Sequence, residues 1–430
     1  MRLRGTTTQR RLGDGRAEQV GFCRFFRNRK VTVPEIVATA AARTGAAAAG
    51  RHVLLIEDTS EINYQAKAGR KRELGRVGNG TDIGLFVHPA LALDAADGTA
   101  LGLAGATIWR RSTAKQRDYQ SQPIETKESY RWLETITQAR APLAAARLVT
   151  VVADREADIY ELFARLPDAR THLVVRAAQD RALGDGGCLF AELAAQPPAG
   201  CLALALPARA RRPARTARLV VRHAAVSLRQ PARGADPRDA AAVPVNVVEL
   251  REIDPPNSKD AVLWRLLTTH PVDGLAEALD VAAIYQQRWA IEQLFRTVKS
   301  QAFDLEASLL ADGAALERLA AATLVAATTV TQLVHARDQA GGALPAARAF
   351  GPEQIATLLA LIPRLEGRTA KQKNPYPPQS LAWAAWLIAR LGGWTGYSSE
   401  RPPGPVTFTN GLQRFEAISE GFNLAQRQIP

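Results

Sequence analysis

Two short apolar runs, each closed by an aspartate, constrain the fold of this chain more than any other feature. RHVLLIEDT carries Asp58 and LVTVVAD ends on Asp154. Neither run alternates apolar with polar residues, so each reads as a strand buried on both faces, as in a sheet with helices on both sides. KESYRWLETITQARAPLAAA reads as a helix before the second run, DREADIYELFARL as a helix after it, and HLVVRAA as the next strand. The class is therefore α/β. If the two strands are neighbours, both aspartates emerge at the carboxyl edge of the sheet, where α/β proteins bind their ligands. Two carboxylates there suit Mg2+ or Mn2+, which take oxygen ligands and keep waters for a substrate. Each aspartate also has a local alternative. Asp154 stands where a helix N-cap belongs, and Asp58 where a strand turns.

The remaining texture divides the chain. At 430 residues it has room for roughly two to four domains. Residues 1–50 form a basic, mostly helical lead-in whose last helix stops at Gly50. Residues 51–181 hold the first part of the core, including a hairpin around the Asp97-Gly98 turn. In 182–262, Pro, Gly and Arg rise and alternating segments such as ARLVVRHAAVSLRQ appear, the pattern of a β-rich insertion. Residues 263–345 return to the core through AVLWRLLTT and a long helix, GLAEALDVAAIYQQRWAIEQLFRTVKSQAF. Residues 346–430 are a helical C-terminal region. Leu319–Val334 is apolar but short for a bilayer, and its Thr and Gln content suits a buried helix, so no membrane is expected.

Lys and Arg number 55 against 42 Asp and Glu, a net charge of +13. That surplus favours a polyanion such as nucleic acid, although a genome rich in Arg and Ala codons raises the same count. Cys23, Cys188 and Cys201 lie far apart, which argues against a disulfide framework and suits a reducing cytosol. His52, His88, His172, His223, His270 and His335 show no metal-ligand spacing and read as structural.

Tyr285, Arg288, Glu292 and Lys299 fall at offsets 0, 3, 7 and 14. At about 100° per residue, one helix would hold them within roughly 60° of each other. Such a face offers a third carboxylate flanked by cations for phosphate oxygens, Arg as a fork and Lys as a point charge. A solvated face with a Glu–Arg pair is the plainer alternative.

The pattern Y-x2-R-x3-E-x6-K over these four residues resembles the signature of the insertion-sequence-four family of bacterial transposases. IEDTS around Asp58 and ADREADIYEL around Asp154 resemble that family's two aspartate motifs, and the order and spacing of the three acids agree. The resemblance covers most of the chain. It implies a ribonuclease-H-like core interrupted by the β insertion, with Asp58, Asp154 and Glu292 as the catalytic acids holding two Mg2+ or Mn2+ ions per active site. It further implies strand cleavage at transposon ends, a hairpin intermediate and strand transfer into target DNA. Trp264 matches the family's base-stacking tryptophan, with strand packing as its alternative. Trp289 matches a second aromatic position. Arg176 matches a DNA-contacting arginine, with a solvated strand end as its alternative; outside the match, the continuing helix adds Arg296, facing DNA phosphate or solvent. The implied partners are double-stranded DNA and a second copy of the chain in a synaptic complex, assembled through the C-terminal helices in a bacterial cytoplasm near the nucleoid. Family members begin with a longer helical end-binding region, so residues 1–50 read as a shortened form. The expectation carried beside the enzyme is a regulator that pairs with a full-length transposase and inhibits it.

Overall fold

Aliphatic residues fill the runs that lead to Asp58 and Asp154, and in the computed structural model both become strands buried along most of their length. The structure describes residues 5–8, 12–13, 15–111, 121–208, 213–337, 344–397 and 399–427. The strands are β1 (His52–Glu57), β2 (Ser60–Asn63), β3 (Gly75–Val77), β4 (Asp82–Asp94), β5 (Ala100–Trp109), β6 (Leu148–Ala153), β7 (Thr171–Arg176), β8 (Gly200–Leu206), β9 (Arg215–Arg229), β10 (Ala242–Glu252) and β11 (Leu263–Thr268). The helices are α1 (Arg16–Arg27), α2 (Val33–Ala48), α3 (Arg131–Arg140), α4 (Tyr160–Arg165), α5 (Leu189–Ala195), α6 (Leu275–Gln286), α7 (Trp289–Arg296), α8 (Gly313–Ala336), α9 (Pro352–Leu365), α10 (Leu381–Leu391) and α11 (Pro405–Arg427). The fold is mixed α/β. It divides into one unit of residues 48–58 and 114–289, and another of residues 1–47, 59–113 and 290–430.

The first unit is built on the sheet β1-β6-β7-β11-β10-β9-β8. β1, β6 and β7 are parallel; β11, β10, β9 and β8 continue antiparallel. The β-rich segment therefore extends the core sheet edge to edge. It also contains α5, which the sequence reading missed, because LFAELAA is a two-turn helix amid Pro- and Gly-rich neighbours. Leu55, Val149 and Thr171 face α3, where they line a small cavity with Ile136 and Ala139. Alternation then turns His52, Leu54, Thr150 and His172 to the other face, the one α6 covers.

That geometry gathers three histidines read above as scattered. The Thr150 hydroxyl lies 2.8 Å from Nε2 of both His52 and His270. Its single proton serves one ring, so the other must donate. His172 stacks on His270 at 4.3 Å and places Nδ1 3.0 Å from the Thr269 carbonyl, which only accepts. Burial, then the charges of His172 and His52, hold the His270 pKa down to about 4. An unfolded histidine titrates near 6.5, so the unfolded chain binds more protons between the two values. Stability should therefore fall as pH drops from about 6.5 towards about 4. His270→Gln should flatten the dependence of the urea midpoint between pH 6.5 and 5, a range above most carboxylate titrations. Identical profiles for the two proteins would show that the imidazole is not held neutral.

In the second unit β4 pairs with β2, β3 and β5. The expected hairpin forms, with Gly98 at φ +73° and the Asp94 amide bonded to the Thr99 carbonyl at 2.8 Å. Among the described residues α8 is the helix long and apolar enough to span a bilayer, and 83% of its apolar window is buried inside the protein. Three of its four threonines are satisfied locally: Thr323, Thr328 and Thr331 each donate to the carbonyl four residues back. Gln332 donates to the Leu101 carbonyl at 2.8 Å. α2 approaches β5 so closely that a Cβ on Gly102, at φ +149°, would meet Thr44 Oγ1 at 2.2 Å. Only glycine fits there.

Candidate active site

β1 and β6 pair in parallel register, with Ile56 opposite Val152. Continued two places, that register brings Asp58 level with Asp154, each just past the end of its strand. Neighbouring strands lie about 4.8 Å apart, so the two side chains leave the sheet at one edge within reach of a shared ligand. Arg288 Nη1 donates to Asp58 Oδ2 at 2.7 Å, with both side chains largely sheltered from solvent. The local alternative for Asp154 is also realised. Its Oδ1 accepts from the Glu156 amide at 2.9 Å, capping a 3-10 turn at 155–157. A carboxylate has acceptor capacity beyond one such bond.

Alternation decides the fate of the preceding residue. Glu57 points away from the Asp58 side and is 0% exposed. Burial pushes its carboxyl well above the usual range, with Arg131 opposing the shift. The doublet Glu57-Asp58 thus contributes one fully buried acid and one half-buried carboxylate paired with Arg288.

The turn that carries Asp154 is braced by a pair absent from the sequence reading. Arg181 Nε donates to Asp158 Oδ1 at 2.6 Å, and both side chains are buried. Asp158 Oδ2 also accepts from the amides of Ala178 and Gln179 at 2.7 and 3.2 Å. The segment leaving β7 is thereby tied to the turn leaving β6. The only sequence signal was the second aspartate in ADREADIYEL.

Residues 274–303 are not one helix. Gln287 and Arg288 bond to the carbonyls three residues back, at 3.1 Å each, and close α6. α7 restarts at Trp289 and passes into a π turn at Thr297–Gln301. Tyr285 and Arg288 therefore stand at the end of α6, while Glu292 lies on α7 and Lys299 in the π turn that follows it. Tyr285 is only 5% exposed and meets Trp264 edge-on at 5.4 Å. Trp264 keeps a half-buried ring, so packing and accessibility coexist there. Arg176 lies opposite Leu266, on the same face as Trp264, and donates to the Leu263 carbonyl at 2.7 Å. Trp289 is 38% exposed.

The first unit thus unites Asp58, Asp154, Arg288, Arg176, Trp264 and Tyr285. Glu292 and Lys299, both half-buried, and the exposed Arg296 belong to the second. Among the described residues no three His, Cys, Asp or Glu side chains form a ready metal cage. Paired carboxylates without a cage are the donor set that Mg2+ commonly uses, with substrate phosphate and water completing the shell.

Residues 125–328 match the family model of the transposase DDE domain. The match covers a little under half of the chain. It takes in Asp154 and Glu292, while Asp58 lies before it. The chain is also similar to piggyBac transposase in a cryo-EM structure of its synaptic complex with hairpin DNA. Identity there is 8%, over 89% of this chain and 55% of that one, with a TM-score of 0.38. The chain thus spans about half the length of that transposase.

Proposed function

We propose that this chain is a cut-and-paste DNA transposase of the insertion-sequence-four family, akin to the transposase of the kanamycin-resistance transposon five, on a ribonuclease-H-like core. The level placement of Asp58 and Asp154 on adjacent parallel strands, with Asp154 inside the transposase DDE match, carries the reading. Glu292, four residues beyond Arg288, completes the acidic triad. Two Mg2+ or Mn2+ ions held by these acids would activate water and neutralise charge on the scissile phosphate.

The chain's own groups supply the positioning. Arg288 orients the Asp58 carboxylate; Lys299, Arg296 and Arg176 hold phosphate oxygens around the cut. Hydrolysis at a transposon end frees a 3′-hydroxyl, which attacks the opposite strand and leaves a hairpin. That step needs a base moved out of the stack, and the rings of Trp264 and Trp289 give it a surface. A second hydrolysis reopens the hairpin, and the freed 3′ end attacks target DNA. Two copies work together in a synaptic complex, joined through the C-terminal helices, in a bacterial cytoplasm at the nucleoid.

The test is a denaturing-gel assay of the full chain on duplex DNA bearing the terminal repeats of its own element. A nick with a 3′-hydroxyl, then a hairpin, is expected with Mg2+ or Mn2+ and is lost in EDTA. Cleavage that persists in EDTA would remove the metal chemistry. Binding to a full-length transposase with no cleavage at all would leave the regulator in its place.

A further inference from the structure

The antiparallel half of the sheet has two unlike faces. On one, Leu202, Leu204, Leu219, Val221, Leu250 and Leu266 point into the core. Alternation and register put a different set on the other. Glu249 lies directly between Arg222 on β9 and Arg265 on β11, and Arg251 follows two places on, beside Val220. Arg218 stands opposite Ala203 on β8.

These side chains form a lattice around one acid. Glu249 is almost wholly buried. It accepts from Arg251 through both oxygens at 3.0 Å each and from Arg265 at 2.8 Å, while Arg222 approaches to 3.8 Å. Burial works to raise its pKa, but Arg251 and Arg265 together hold the carboxyl below its usual range. α5 steadies one flank: Arg222 also donates to the Gln196 carbonyl at 3.0 Å, and the Arg265 guanidinium lies 3.8 Å over the Phe190 ring. Arg218 is 67% exposed at the side chain, and its contact is the exposed Asp254 at 3.5 Å. The strand face thus sets four guanidinium groups against two carboxylates, Glu249 and Asp254. It is also low: Cys201, Ala203, Ala205 and Thr216 are exposed and small.

We propose that this face is a platform for the phosphate backbone of duplex DNA, separate from the strand-end aspartates. It rests on the reading that the chain acts on DNA, and adds a second contact surface to it. Two features select a nucleic-acid backbone over an acidic protein. The face's described exposed side chains are Arg218, Arg251, Thr216 and the small Cys201, Ala203 and Ala205, whereas protein interfaces draw most of their affinity from large anchoring side chains. Its cations are spread over about 13 Å along β9 and about 10 Å across to β11. DNA carries one charge per strand every 3.4 Å or so, so such a patch meets several phosphates at once.

The experiment compares the full chain with Arg218→Gln/Arg251→Gln in fluorescence anisotropy on a duplex of unrelated sequence, without divalent metal, over a salt series. A control removes two exposed charges elsewhere, Arg368→Gln/Lys371→Gln. The platform variant should bind several-fold more weakly and lose about 1–2 from the slope of log affinity against log salt. Melting should match the wild type. An unchanged slope, or an equal loss in the control variant, overturns the platform. So does a loss seen only with polyglutamate. If the variant loses binding while the wild type shows no metal-dependent cleavage, the platform stands and the transposase reading falls. If cleavage is intact and the slope is unchanged, the reverse holds.

Discussion

Replacing Asp154 by alanine should lower metal-dependent nicking by more than about a thousandfold while leaving the protein folded. A single preorganised group that stabilises charge in a transition state is worth about 10²–10³ in rate, and a direct metal carboxylate at least as much. The structural cost is small. Asp154 is half-exposed, and the bond it makes is a cap to the Glu156 amide, worth about 1 kcal/mol. Activity and stability therefore separate at this residue. Asp58→Ala should be equally inactive, but it also strips Arg288 of a partner at 2.7 Å, so Asp58→Asn is the gentler variant. Nicking rates and urea midpoints measured together decide the matter. Near-normal nicking by Asp154→Ala would reduce the residue to its capping role.

Arg181→Ala should cost about 3–5 kcal/mol, because it leaves the Asp158 carboxylate buried without its cation. No surface ion pair would approach that figure. The Arg238–Glu125 contact at 3.0 Å, for example, is exposed and screened by water. The two amides on Asp158 Oδ2 would still need an acceptor. Asp158→Asn combined with Arg181→Met should therefore recover most of the loss, since asparagine accepts and methionine fills the space. Denaturant unfolding gives both numbers. A loss under about 1 kcal/mol for Arg181→Ala would mean that water reaches the carboxylate.

The strands carrying Asp58 and Asp154 were legible because a strand buried on both faces has few ways to be written. The same holds for the β insertion, where alternation announces one wet face. The break at Gln287 and Arg288 was not legible. No Gly or Pro marks it, and α6 ends in i→i−3 hydrogen bonds that any of these residues can make. The histidine cluster was hidden for another reason. His52, Thr150, His172 and His270 meet through strand register, which no local spacing encodes. The Asp158–Arg181 brace spans 23 residues and looks, in sequence, like two unrelated surface charges. The arginine face was half visible: ARLVVRHAAVSLRQ shows the alternation, but only the pairing of β9, β10 and β11 brings Glu249 between its cations.

The joining of β11 to both β7 and β10 makes the insertion a continuation of the core's hydrogen-bond ladder. It inherits that ladder's parity. The turn between β9 and β10 can lengthen or shorten without moving anything on the strands. A single residue gained or lost just before Trp264 cannot, because it exchanges the two faces of the strand. Either way Trp264 would turn towards the arginine side, and with a loss Arg265 would take its place beside Tyr285. Drift in length is therefore open to the tips of this segment and closed to its root, where one step of phase would swap an aromatic surface for a cation.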